Sequence, residues 1–212
     1  MLRKTDTAHF WDGVARKYAR DRIKDMAGYE RTIERTQEFL RRSDTVLEIG
    51  CGTGTTALKL APLVSSIVAN DVSSEMIAIA REKAGSESCR NVTFEAGKAE
   101  QPEGGIEAYD AVLAFNLLHL ITGRPSMLAR IRDLVKPGGL FISKTPCLSE
   151  MNPMIRVAVP AMRLIGKAPV VSFFSASEIE AEIASAGFQI EVTERHGSGR
   201  KDPRIFIVAR RP

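Results

Sequence analysis

The chain has 212 residues, 44% of them hydrophobic and 26% charged, with a formal net charge of +4. That length suits one domain with a full hydrophobic core, and that composition excludes disordered and fibrous classes. Lysine and arginine are scattered, so charge makes no case for a nucleic-acid partner, and no run of about 18 apolar residues is present to span a bilayer. Cys51, Cys89 and Cys147 are too far apart for a disulfide framework or a paired metal site, and the three histidines lack zinc-ligand spacing. No metal is expected. Residues 1–6 lack the apolar core of a secretory signal, and a reduced, cytoplasmic setting is the default expectation.

Residues 8–42 read as helical: Phe10, Val14 and Tyr18 share a face, and Tyr29, Ile33 and Leu40 continue the stripe after a break near Gly28. The period then switches. Residues 45–49 form a short apolar strand, glycines follow, and residues 55–60 form a helix closed by Pro62. A second strand over 66–71 ends in Asp71. The helix over 74–84 has Ser73 or Ser74 as its N-cap and Gly85 as its stop. Strands follow at 91–96 and 109–115. A helix over 125–135 is ended by Lys136-Pro137-Gly138-Gly139, and a fifth strand occupies 140–144.

Strands with nearly continuous apolar runs, alternating with helices, specify an α/β fold. Its doubly wound parallel sheet carries helices on both faces. The chain ends differently. After a helix over 176–186, strands at 188–195 and 204–209 are joined by a connection too short for a crossover, which makes them an antiparallel hairpin.

The strand running into Gly50-Cys51-Gly52-Thr53-Gly54 and then a helix is a nucleotide-binding turn, because glycine permits the bend and lets backbone amides approach a ligand. The spacing differs from the G-x-G-x-x-G of pyrophosphate-binding dehydrogenases, and no Lys-Ser/Thr follows as in phosphate loops. Glu48, just before the glycines, would repel a diphosphate but suits a ligand bearing an ammonium group. Asp71, at the end of the second strand, is positioned to accept from the hydroxyls of a ribose.

These stretches resemble the motifs of class I S-adenosylmethionine-dependent methyltransferases. Val46-Leu47-Glu48-Ile49-Gly50-Cys51-Gly52-Thr53-Gly54 looks like the first, and Asn70-Asp71-Val72-Ser73-Ser74-Glu75-Met76 resembles the second. Residues 109–119, ending Phe115-Asn116-Leu117-Leu118-His119, and residues 134–140 are similar to the fourth-strand and fifth-strand signatures. The terminal hairpin is similar to the edge of the family's seven-stranded Rossmann-like sheet, whose last strand is antiparallel. The resemblance spans about residues 8–209. It implies S-adenosylmethionine as cofactor and S-adenosylhomocysteine as product. Glu48, Gly50, Cys51, Gly52 and Gly54 would hold the methionine end, Asp71 the ribose, and Val72 with Met76 the adenine. Lys98 and Ala99 would border the adenine, Asn116 would lie at the fourth strand's end, and Tyr18 near the methionine end. The family commonly has an acid where this chain has Lys98. An ammonium cannot accept from the adenine amino group, so backbone is expected to read that edge, with Glu100 as the other acceptor.

Methyl transfer is an in-line displacement, for which positioning is the main requirement. His119 is the candidate base; the plainer reading is a histidine that packs or caps locally. Cys51 reads as a small filler within the turn, having no paired base. The chain divides into a helical cap (1–42), a cofactor-binding core (43–145), a substrate lid (146–174) and the last helix with its hairpin (175–212). The 146–174 stretch is apolar but carries Arg156, Arg163 and Lys167. It would line a pocket for a small apolar or lipid-like acceptor, lie on a membrane surface, or simply pack. The expected activity is methyl transfer to such an acceptor. An NAD-type oxidoreductase and a non-catalytic cofactor-binding protein are the alternatives. Nucleic-acid methylation is disfavoured, because Asn116-Leu117-Leu118-His119 replaces the Asn/Asp-Pro-Pro-Tyr that acts on exocyclic base amines.

Overall fold

Alternation along each strand decides which face of the sheet a side chain enters. On β1 (Thr45–Ile49), Leu47 and Ile49 point to one face and Val46 and Glu48 to the other. The computed structural model describes residues 5–102, 104–199 and 202–212. Residues 1–4, within the stretch read above for a secretory signal, lie outside the described residues, as do Arg200 and Lys201 in the hairpin connection. The remaining strands are β2 (Ser66–Asp71), β3 (Val92–Ala96), β4 (Tyr109–Phe115), β5 (Val135–Pro146), β6 (Gln189–Glu194) and β7 (Arg204–Arg210). They form one seven-stranded sheet in the order β3-β2-β1-β4-β5-β7-β6. The first five are parallel, and β7 is antiparallel to both β5 and β6.

The chain leaves β1 outward through β2 and β3, then returns to place β4 on β1's other side. The crevice between the carboxyl ends of β1 and β4 is therefore the switch point at which such sheets bind ligands. Helices α2 (Met26–Gln37), α3 (Thr55–Leu60) and α4 (Ser74–Ser86) cover one face through Ile33, Ala57, Leu60 and Ile77. Helices α5 (Arg124–Leu134) and α7 (Ala176–Ser185) cover the other through Leu128, Ile131, Ile179 and Ile183.

Helix α1 (Thr5–Arg20) lies on α4 rather than on the sheet: Ala15 is buried with Met76 and Ile79. Asp12 fastens it there, accepting from Ser73 Oγ at 2.6 Å and from the Glu75 amide at 3.1 Å. Helix α6 (Ile155–Leu164) has no buried residue and contains Pro160.

Three local expectations change. The break in the N-terminal helix falls at residues 21–25, not at Gly28, which lies inside α2. A Cβ on Gly28 would lie 2.4 Å from Asp25 Oδ2 and 2.9 Å from the His196 carbonyl oxygen, so this glycine permits a close approach. Gly85 does not stop α4; the left-handed residue after that helix is Ser88 (φ 54°). Residues 136–139 are not a free turn before the fifth strand. They bulge out of β5, whose pairing with β4 jumps from Tyr109↔Val135 to Ala111↔Leu140. Gly138 and Arg211 together with Gly139 exchange backbone hydrogen bonds that sew the bulge to the chain's end.

Candidate active site

A cavity of about 890 Å³ opens at the carboxyl ends of β1, β2, β4 and β5, beneath α1 and α2. The sheet delivers most of the expected residues to it. β1 and its turn supply Glu48, Gly50, Cys51 and Gly52. β2 supplies Asp71 and Val72, with Met76 behind them from α4. Lys98 and Ala99 arrive after β3, and Asn116 after β4. Tyr18 hangs from α1 over the glycine turn: a Cβ on Gly52 would lie 3.9 Å from its ring. Trp11 and Phe10 continue the aromatic row, with Trp11 edge-on to Tyr18 at 6.4 Å and to Phe10 at 5.2 Å.

Two expected residues lie elsewhere. Gly54 does not line the cavity. It is the left-handed N-cap of α3 (φ 75°), and a Cβ there would meet the Phe94 ring at 2.7 Å and Ala80 at 2.8 Å, so it permits close packing of α3 on β3 and α4. His119 is also absent from the lining. Its Nδ1 and its amide both lie 3.3 Å from Thr145 Oγ1, its carbonyl accepts from the Ser172 amide, and burial lowers its pKa to about 4. It ties the segment after β4 to β5 and to the residues before α7.

Glu48 dominates the electrostatics. It sits on an otherwise apolar face, only 2% exposed, and its Oε2 has no hydrogen-bond partner among the described residues. Burial drives its pKa up to about 8. The Ala57 amide opposes that rise and the nearby Asp71 adds to it. A buried carboxylate oxygen without a donor is costly, and it is a ready partner for an ammonium ligand. Asp71 is engaged locally. Its Oδ2 accepts from the Gly52 amide and its Oδ1 from the Ser73 amide, both at 2.9 Å. Each oxygen keeps a second lone pair for a hydroxyl. Burial raises its pKa and the two amides pull it back. Cys51 is buried, and burial raises its thiol well above the usual value, so it is inert filler.

These features fit S-adenosylmethionine. The orphaned oxygen belongs to a cavity-lining residue and suits an ammonium, Gly52 has only the Tyr18 ring within 4 Å of where a Cβ would lie, and Val72 and Met76 supply apolar lining. The lining also holds groups that sequence reasoning passed over, chiefly Thr32 and Lys144. Lys144 stands near the end of an apolar strand, where a lone lysine reads as a surface residue; the packing of α2 on β5 buries it.

A family model described as "Methyltransferase domain" matches residues 46–139. Two curated relatives named "Ubiquinone biosynthesis O-methyltransferase" are similar to the chain. That of Agrobacterium fabrum is 30% identical over 137 residues, covering 65% of this chain and 53% of that protein. That of Sinorhizobium medicae is 26% identical over 220 residues, covering 96% and 86%. The solved structure of an S-adenosylmethionine dependent methyltransferase from Mesorhizobium loti superposes with a TM-score of 0.74 at 17% identity, covering 87% of this chain and 98% of that one, a likeness of fold. In sheet order, in the residues gathered at the switch point and in these matches, the chain is similar to class I S-adenosylmethionine-dependent methyltransferases. It spans about half the length of the Agrobacterium relative.

Proposed function

We propose that the protein moves a methyl group from S-adenosylmethionine to a hydroxyl oxygen of a small, apolar, quinone-like aromatic acceptor. The observation that carries the donor half is the buried, unpartnered Glu48 oxygen at the switch point. When bound, the cofactor supplies a methyl group activated on a sulfonium. Glu48 and the turn amides would anchor its methionine end, Asp71 the ribose, and Val72 with Met76 the adenine. Glu100 lines the cavity beside Lys98 and is an available acceptor for the adenine edge. The acceptor half is supported by the relatives named for O-methylation in ubiquinone biosynthesis and by a cavity at the upper end of the volumes typical of ligand pockets.

Residues 146–174 serve this reading as a lid. Arg163 and Val170 reach the cavity, while Met154 (74%), Val157 (75%) and Leu164 (89%) remain exposed beside Arg156 and Lys167. Such a basic, apolar helix suits contact with a membrane that delivers a lipid-like acceptor. Among the described residues no helix is long and apolar enough to cross a membrane. We place the enzyme in the cytoplasm, with α6 as its peripheral contact.

The test is transfer of labelled methyl from S-adenosylmethionine to a panel of phenols, amines and activated carbon acids, with products identified by mass spectrometry. O-methylated apolar phenols are expected. Exclusive methylation of nitrogen or carbon would overturn the acceptor, and an absence of cofactor binding would overturn the whole reading.

A further inference from the structure

Lys144 is a buried lysine with no ion-pair partner among the described residues. It is 5% exposed, on β5, with its Nζ 2.6 Å from Thr32 Oγ1 and 3.3 Å from the Gly28 carbonyl oxygen. The nearby acids bind other groups, although Asp202 Oδ2 is buried without a hydrogen-bond partner among the described residues and its field reaches Lys144. Asp202 pairs with Arg204 at 2.7 Å; Asp25 pairs with Arg204 at 3.3 Å and accepts from Gly28 and Ser198. Among the described residues no salt bridge reaches Lys144. Buried lysines are rare unless paired, and this one lines the cavity. An ammonium has three donors; Thr32 and Gly28 take two and leave one.

Its neighbours hold it in place. Glu194 Oε2 lies 3.0 Å from His196 Nε2, and since a carboxylate only accepts, that nitrogen carries the proton. His196 Nδ1 then faces Thr32 Oγ1 at 3.1 Å, on the same oxygen that receives Lys144. Arg31 grips the His196 carbonyl, and the His196 ring stacks on Phe206 at 4.6 Å. The position is also apt. The pairing register sets Glu48 opposite Leu113 and Leu113 opposite Ile142, with Lys144 two residues further along. Two strand spacings and two residue rises put its Cα about 12 Å from that of Glu48, beyond the donor's anchor but in the same cavity.

We propose that Lys144 is the base for an acidic hydroxyl of the acceptor and afterwards the cation that pairs with its oxygen, with Thr32 and His196 as positioning residues. This rests on the O-methylation reading above. In the step, the acceptor's O–H bond breaks and its proton goes to the neutral amine. An oxygen electron pair forms the bond to the methyl carbon, and the carbon–sulfur bond breaks with its pair passing to sulfur. The ammonium then returns the proton to solvent. Burial and Arg204 lower the lysine's pKa to about 8, against the opposing fields of Asp202 and Asp25, while Arg31 lowers it further. The neutral form is therefore accessible near neutral pH.

The test uses 4-nitrophenol, whose colour reports its ionisation, titrated into protein saturated with S-adenosylhomocysteine. Wild type should bind it as the phenolate, at least tenfold tighter than Lys144→Met, and the Met variant should retain S-adenosylhomocysteine affinity within about threefold. Lys144→Arg, which keeps the cation, should restore phenolate binding. With a methyl-accepting phenol, wild-type kcat should rise with pH through about 8, and the Arg variant should lose that limb and most of kcat. Equal phenolate binding in wild type and Lys144→Met would overturn the proposal, as would failure of wild type to bind the phenol while still O-methylating another acceptor. Should Lys144→Met not fold, the Arg variant's unchanged pH profile would overturn it alone. Methylation confined to nitrogen or carbon would instead remove the reading on which it rests.

Discussion

Burial drives the pKa of Glu48 up to about 8, so in the free protein it is neutral below that pH. The native state therefore keeps a proton that the unfolded chain releases above the ordinary glutamate value, so the associated stability is full below that value and is lost as pH rises through about 8. Thermal melts without cofactor should fall in midpoint across that window, and Glu48→Gln should flatten the dependence. The same substitution removes the ammonium's partner. Calorimetry should show cofactor binding weakened about ten- to a hundredfold, the range for a charged hydrogen bond. Asp71→Ala removes the proposed ribose acceptor and frees the Gly52 and Ser73 amides, so it too should weaken cofactor binding; affinity equal to wild type would sink the ribose assignment. Gly54 acts through packing. Gly54→Ala combines a left-handed alanine with contacts under 3 Å to Phe94 and Ala80, and should cost about 2–4 kcal/mol in denaturant unfolding.

Among the elements, α1 closes one side of the cavity from a perch on α4. Asp12 is its fastening, accepting from Ser73, itself the N-cap of α4. Asp12→Ala should destabilise by about 1 kcal/mol, the size of a lost cap. Hydrogen exchange should then quicken in α1 and the first turn of α4, while α5 and α7 stay protected. No spacing rule marks Asp12: it lies 61 residues before its partner, and only the fold brings them together. Helix α6 is the reverse case. Its apolar, basic composition was plain from the residues, but composition does not say whether such a helix packs inward. The structure leaves it on the surface, so replacing Val157 and Leu164 with Ser should change unfolding little while reducing recovery of the protein with anionic vesicles.

For the molecule as a whole, a ligand that needs the folded site stabilises it, so on the proposed reading S-adenosylhomocysteine at a hundred times its Kd should add about 2.7 kcal/mol of stability. The rise in melting midpoint should shrink in Glu48→Gln and survive in Lys144→Met.

The strand–turn–helix at residues 45–60, the acid ending β2 and the terminal hairpin were legible in the sequence. Periodicity and glycine placement are local properties, and the residues proposed to hold the cofactor lie in successive turns at the carboxyl ends of β1, β2 and β4. What the sequence left open depends on partners distant along the chain. Which glycines line the cavity and which merely admit a neighbour is set by Phe94, Ala80 and His196, far from Gly54 and Gly28. His119 lies just past β4 and Lys144 near the end of β5; the histidine could be read as a base or as a local packing group, the lysine as a surface residue. Packing determines their surroundings: β5 and the segment before α7 enclose the histidine against Thr145, and α2 covers the lysine with Thr32. Burial and charge pairing arise only when separate elements meet, and so tertiary structure alone decided them.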